Sequence, residues 1–189
     1  MWDATNPIGN KIYGHSNLTE IKLALDLFWR NNIKPEKLNL GLGFYGRSFQ
    51  LANSACHQPG CAFKGGAAPG PCSKNSGTLT YKEIKDIITK HKIKPYHDKE
   101  AAVKYITWDN DQWVSYDDEE TFKAKINFAN KLGLGGLLIW AIDQDTDDLG
   151  KKKRAAPLTM GMLLLTVCRG SQRCHKPQIG HRTCNEVQR

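Results

Sequence analysis

Two runs almost free of polar side chains constrain this chain most: residues 38–44 (LNLGLGF) and residues 137–142 (LLIWAI). A strand with one wet face alternates apolar and polar residues. A run that does not alternate fits a strand buried on both faces, as in a parallel sheet. Parallel neighbours need a crossover connection, usually a helix, and an amphipathic segment precedes each run. Before the first, Asn17 and Glu20 have capping-box spacing, and Ile21, Leu25, Phe28 and Trp29 recur at helical intervals. This predicts a helix over 17–31, with Pro35 in the loop after it. Before the second, Asp117 and Glu120 open a helix that carries Phe122, Ile126, Ala129 and Leu132 on one face, and Gly133 and Gly135 stop it. Helix–strand–helix–strand with short loops is the grammar of an α/β barrel or a doubly wound sheet.

The stretch between the runs follows other rules. Residues 51–78 are rich in Gly, Pro, Ser and Cys and have no period, as in a stapled loop. Thr80 and Glu83 form a second capping box for a short helix with Ile84, Ile87 and Ile88 inward. Residues 103–108 and 112–116 are aromatic and β-branched runs around Asp109-Asn110-Asp111, which predicts a β-hairpin. Residues 50–116 are therefore expected to form a small α+β unit inserted between the two strands. Functional residues of such sheets lie at the C-terminal strand ends. Here those ends are Tyr45-Gly46-Arg47 and residues 140–145.

Composition narrows the partners. The length of 189 residues, with 40% hydrophobic and 24% charged side chains, fits one globular domain or one with an insertion. The net charge of +8 is local: residues 151–189 hold nine Lys/Arg and one Glu, which leaves 18 of each sign in residues 1–150. The basic excess, including the KKKR patch at 151–154, thus sits in a tail expected to be disordered. No basic stripe is expected on the fold, which argues against nucleic acid. Residues 1–20 show no signal-peptide pattern, and the apolar run at 160–167 is too short to span a bilayer, so no membrane partner is expected. Six Cys in two clusters of three fall outside the periodic segments and are expected to staple loops, hence an oxidising compartment. A zinc site at Cys56, His57, Cys61 and Cys72 would have irregular spacing and no second His pair. Disulfides are expected instead, with one Cys of the three pairing elsewhere or free. Residues 143–150 resemble a calcium loop but lack the turn Gly and the closing Glu. No metal and no cofactor are expected. Five Trp and six Tyr exceed what a bare core needs, and aromatic planes often serve sugar binding.

Residues 40–49 (LGLGFYGRSF), 112–118 (QWVSYDD) and 135–145 (GGLLIWAIDQD) together resemble the last third of glycoside hydrolase family 18 chitinases, in particular the fungal type. Residues 56–72 (CHQPGCAFKGGAAPGPC) resemble the loop that opens the insertion domain of such fungal enzymes. The resemblance covers residues 1–150. It implies an α/β fold: a partial TIM (β/α)8 barrel made of 1–49 and 117–150, the last two strands with their helices, and an α+β insertion domain at 50–116. Residues 38–44 would be strand seven and 137–142 strand eight. Trp2-Asp3 resembles the residues just beyond strand six. The implied substrate-binding residues are Trp140, Tyr45, Arg47 and Trp2. Trp140 would floor the sugar site, where a flat indole covers the apolar face of a pyranose ring. Tyr45 and Arg47 would line the same cleft, and Trp2 would lie on the leaving-group side. The plainer alternatives are a core Trp at 140 and a simple ion pair at Arg47. Trp108 and Trp113 are expected to pack in the hairpin. The implied partner is chitin or a chitooligosaccharide, bound by an extracellular monomer.

The family's chemistry is substrate-assisted rather than carried by two carboxylates. A Glu protonates the glycosidic oxygen, and the substrate's own N-acetyl carbonyl attacks the anomeric carbon while an Asp orients it. Those groups come from an Asp-x-x-Asp-x-Asp-x-Glu motif at strand four, and this sequence contains none. The Tyr-Asp pair of strand six would fall just before residue 1. No catalytic residue is therefore expected here. The expectation is a fragment (of a truncated gene, an incomplete gene model or a pseudogene), inactive and poorly stable alone, since two strands of eight leave apolar faces and edges open. The alternatives are a non-catalytic, lectin-like chitin-binding protein or a non-functional remnant.

Overall fold

The computed structural model describes residues 9–141 and Gln144. Trp2, the carboxylates Asp143, Asp145, Asp147 and Asp148, the cysteines beyond position 72 and the basic tail lie outside the described residues.

Helix α1 (Leu18–Arg30) starts where the capping pattern puts it: Asn17 Oδ1 accepts the Glu20 N–H at 2.9 Å. Leu25 is buried and Ile21 and Trp29 pack on the core, but Phe28, Leu23 and Leu27 are exposed. After a 3₁₀ turn at Pro35–Lys37 comes strand β1 (Asn39–Gly43). It pairs in parallel with β8 (Gly136–Trp140), in register from Asn39 opposite Gly136 to Gly43 opposite Trp140. The parallel pairing agrees with the sequence pattern, but the expected burial on both faces holds for neither strand: Asn39 and Gly41 of β1 are exposed, and β8 is exposed over its last three residues. Leu138, Ile139 and Trp140 are 47%, 36% and 64% exposed. Successive strand residues point to opposite faces, so Leu138 and Trp140 on one face of β8 and Ile139 on the other all lack full cover among the described residues.

The second sheet is antiparallel and six-stranded. It contains β2 (Tyr45–Leu51), β3 (Phe63–Gly66), β4 (Thr78–Thr80), β5 (Tyr96–Asp98), β6 (Val103–Trp108) and β7 (Gln112–Tyr116), in the order β3-β2-β7-β6-β5 with β4 beside β2. One residue, Phe44, separates β1 from β2, so the chain passes straight from one sheet to the other. The hairpin β6–β7 forms as its sequence predicts. Asp109 and Asn110 take positive φ (44° and 68°) in the turn, a conformation that these residue types tolerate better than most. Trp113 is fully buried, ring-stacked on Tyr105, and donates from Nε1 to the His57 carbonyl at 3.0 Å. Trp108 packs against the main core, so both Trp serve the hairpin as expected.

Helix α2 (Tyr81–His91) has the full capping box of Thr80 and Glu83. Glu83 does more than cap. Its Oε1 also accepts the N–H groups of Cys72 and Ser73 at 2.7 and 2.9 Å, which ties the Cys-rich loop to the helix start. Burial alone would raise this carboxyl, but the donors around it outweigh that and hold it below its ordinary pKa. Cys56 and Cys61 close a disulfide in the same loop, and Cys72 is also disulfide-bonded.

Helix α3 (Glu119–Leu132) corrects one expectation. Its cap is Asp118, reciprocated by Thr121, and not Asp117 with Glu120. Asp117 points inward and meets Lys125 Nζ through both carboxylate oxygens, each at 2.6 Å, with Lys125 0% exposed. Gly133 ends α3 at φ 68°, a left-handed cap that favours glycine.

Gly46 shows how closely strands β2 and β7 and the helix at Tyr81–His91 meet. A Cβ there would lie 2.6 Å from Val114 Cγ2, 2.7 Å from Ile84 Cδ1 and 2.8 Å from the Ser115 carbonyl oxygen. The last neighbour is backbone and cannot swing away. Gly46→Ala is expected to destabilise the fold by about 1–3 kcal/mol through overpacking. A denaturant midpoint equal to that of the unsubstituted chain would contradict this.

Candidate functional site

Both strands of the parallel pair end together, with Gly43 opposite Trp140. The Phe44 N–H donates to the Trp140 carbonyl at 2.8 Å and locks the two ends. The Trp140–Ala141 peptide is cis. The Trp140 side chain is 64% exposed; the neighbouring Leu138 and Ile139 are exposed too, and it differs from them in being a flat ring at the strand end. An exposed flat ring at a strand end can stack on the apolar face of a ligand.

Tyr45 and Arg47 follow directly from β1 into β2. Both are half-buried and share one face of the strand, two residues apart. The Arg47 guanidinium lies 5.2 Å from the Tyr45 ring centre, within cation–π range. Its Nη1 donates to Thr78 Oγ1 at 3.2 Å on the neighbouring strand β4. Tyr45 also reaches back towards the strand ends, because a Cβ at Gly43 would sit 3.2 Å from Tyr45 Cε1. Gly43 faces Trp140 in register, so Tyr45 borders the position opposite Trp140, and Arg47 is linked to that strand end through the Tyr45 ring. The fourth predicted residue, Trp2, lies outside the described residues.

His15 joins this group without a sequence signal of its own. It sits between Gly14 and the helix cap Asn17, in a loop with no period. Its ring centre is 4.7 Å from that of Tyr45, and its Nε2 would lie 2.8 Å from a Cβ at Gly43. Burial, then the charges of Lys125 and Arg47, lower its pKa to about 4, so the imidazole is neutral at neutral pH. Only spatial proximity could have found it.

The geometry defines an α/β protein with an exposed indole and a Tyr–Arg pair at the C-terminal end of parallel strands. The glycosyl hydrolases family 18 model matches residues 2–145. The chain belongs to that family, and its relatives include chitinases and chitinase-like proteins. It is 39% identical over 125 residues to mouse chitotriosidase-1, covering 66% of this chain and 26% of that protein. It is 29% identical over 158 residues to the secreted chitinase LysM12 of Penicillium expansum, covering 76% of this chain and 10% of that protein. The solved structure of human YKL-39, a pseudo-chitinase with retained chitooligosaccharide binding properties, matches with TM-score 0.61 at 34% identity, over 66% of this chain and 33% of that one. The chain thus spans about a third or less of the length of these relatives. No helix among the described residues is long and apolar enough to cross a membrane.

Proposed function

We propose that this chain carries one wall of a chitooligosaccharide cleft and binds sugar without cleaving it. In this reading β1 and β8 are strands seven and eight of a family 18 barrel, and residues 50–116 belong to the insertion domain. Trp140 stacks on a sugar ring, and Tyr45 and Arg47 supply polar contacts beside it. Trp2 is assigned to the leaving-group side by resemblance. The single observation that carries the reading is the exposed Trp140 indole at the strand end, opposite Gly43, which the Tyr45 ring borders. A human relative described as a pseudo-chitinase with retained chitooligosaccharide binding supports the separation of binding from turnover.

For these 189 residues by themselves no turnover is expected. Hydrolysis needs a general acid at the glycosidic oxygen, and proton transfer of that kind contributes roughly 10²–10⁴ in rate. No Asp-x-x-Asp-x-Asp-x-Glu motif occurs in these 189 residues. The Cys-rich loop and the LGLGFYGRSF run favour the fungal type, and the disulfide Cys56–Cys61 fits a secreted protein.

Titration of N,N′,N″,N‴-tetraacetylchitotetraose into the 189-residue chain is expected to quench Trp emission. A fluorogenic chitooligosaccharide is expected to release no fluorophore above the buffer rate. Measurable turnover would overturn the assignment of a binding role without catalysis, and absence of any binding would overturn the cleft itself.

A further inference from the structure

We propose that His15 is a positioning residue for the sugar-binding surface, its imidazole bracing the Tyr45 ring beside the end of the β1–β8 pair. This rests on the cleft reading above, and it concerns a residue outside the Trp140, Tyr45 and Arg47 set.

The loop that carries His15 is fixed from several sides. Ile12, fully buried, donates its N–H to the Cys61 carbonyl at 2.8 Å and accepts from the Gly60 N–H at 2.8 Å. The His15 N–H donates to Ser115 Oγ at 2.9 Å, on strand β7. Asn17 Nδ2 closes the loop onto the Gly14 carbonyl at 3.1 Å, and the Leu18 N–H reaches the Ala101 carbonyl at 2.9 Å. The antiparallel sheet therefore sets the position of the His15 backbone, while its ring projects towards the parallel pair. There it meets the Tyr45 ring at 4.7 Å between centres, tilted by 48°. It also takes the space that any side chain at position 43 would need.

The charges around the ring agree with a packing role. Arg47 and Lys125 are the cations that bear on it, and Ser16 Oγ lies 3.5 Å from its Nε2. A protonated imidazole would repel both cations. A neutral one packs on Tyr45 and lets the Arg47 guanidinium keep its place over the same phenol ring. His15 thus links the antiparallel sheet to the orientation of Tyr45, which in turn borders the position opposite Trp140.

The test uses the full chain with four variants. Two are His15→Phe and His15→Leu, both filling the site. The third is Tyr45→Ala, and the fourth combines H15L with Y45A. Binding of the chitotetraose is read by calorimetry and folding by thermal midpoint. His15→Leu, which has no flat ring, is expected to weaken binding about tenfold, whereas His15→Phe stays within about twofold. In the Tyr45→Ala background His15→Leu is expected to weaken binding no further, since it acts through Tyr45. Unchanged affinity in His15→Leu would overturn the proposal whatever its melting point. Equal losses in His15→Phe and His15→Leu, or additive losses in the double variant, would overturn it too. If the unsubstituted chain fails to bind, the cleft reading and this inference fall together. If it binds and His15→Leu binds equally well, only the inference falls.

Discussion

Replacing Lys125 with alanine is expected to lower folding stability by about 3–5 kcal/mol, because it leaves a buried carboxylate without its counter-charge. Lys125 is 0% exposed and grips both oxygens of Asp117, itself 2% exposed. Burial pushes the Asp117 carboxyl up and the Lys125 amine down, so each tends towards its neutral form, and the short paired contact opposes that. With Lys125 gone, the opposing charge disappears and the folded-state pKa of Asp117 rises further above its unfolded value. A raised acid binds more protons folded than unfolded. The contribution of Asp117 to stability is then present below the ordinary carboxylate pKa and is lost as pH rises through the folded value. The deficit of Lys125→Ala relative to the unsubstituted chain is thus expected to shrink on acidification. Denaturant titrations of both proteins at neutral and at acidic pH check it. The double variant Asp117→Asn with Lys125→Met is expected to recover most of the loss, as paired apolar or neutral replacements of buried ion pairs often do. A single variant as stable as the unsubstituted chain would show the pair to be dispensable.

The second large effect is on binding. Trp140→Ala is expected to weaken chitotetraose binding by about 2–4 kcal/mol, roughly 30-fold to 1,000-fold, the range for an aromatic anchor at the centre of a contact. Stability is expected to change little, because most of the Trp140 side chain already faces solvent. Trp140→Phe keeps a smaller plane and is expected to fall between. Calorimetry is the suitable readout, since the substitution removes the reporting indole. Wild-type affinity in Trp140→Ala would remove the strand end from the cleft.

Much of this arrangement is legible in the sequence where a local rule decides it. The Thr80–Glu83 box, the Asn17 cap and the hairpin turn at Asp109–Asp111 each depend on residues within a few positions, and each forms. The start of α3 is less legible. Asp117 with Glu120 and Asp118 with Thr121 both have the spacing of a cap, and only the inward turn of Asp117 to Lys125 separates them. The departure of β2 into the antiparallel sheet is hidden for another reason. It follows β1 after the single residue Phe44, and residues 45–51 carry no turn signal. The burial of β8 fails because an apolar run reports what a strand can bury, not what is present to cover it. Trp140, Tyr45 and Arg47 are reachable through motif and strand-end position. His15 is not, because its neighbours in space, Gly43 and Tyr45, lie in other elements.

The pairing of β2 with β7 has a consequence for the strand ends. Gly43 and Trp140 meet although the whole antiparallel sheet lies between them in the chain. Closing so long a loop from an unordered chain costs entropy that grows with loop length. Arg47 lies opposite Ser115 in the β2–β7 ladder, so the inserted sheet brings its own entry and exit side by side. Once it has formed, only α3 and its flanking turns remain to be closed before β8 reaches β1. The insert therefore acts as a short circuit in the chain, and substitutions that loosen the β2–β7 ladder should slow the meeting of β1 and β8 as well as weaken the sheet itself.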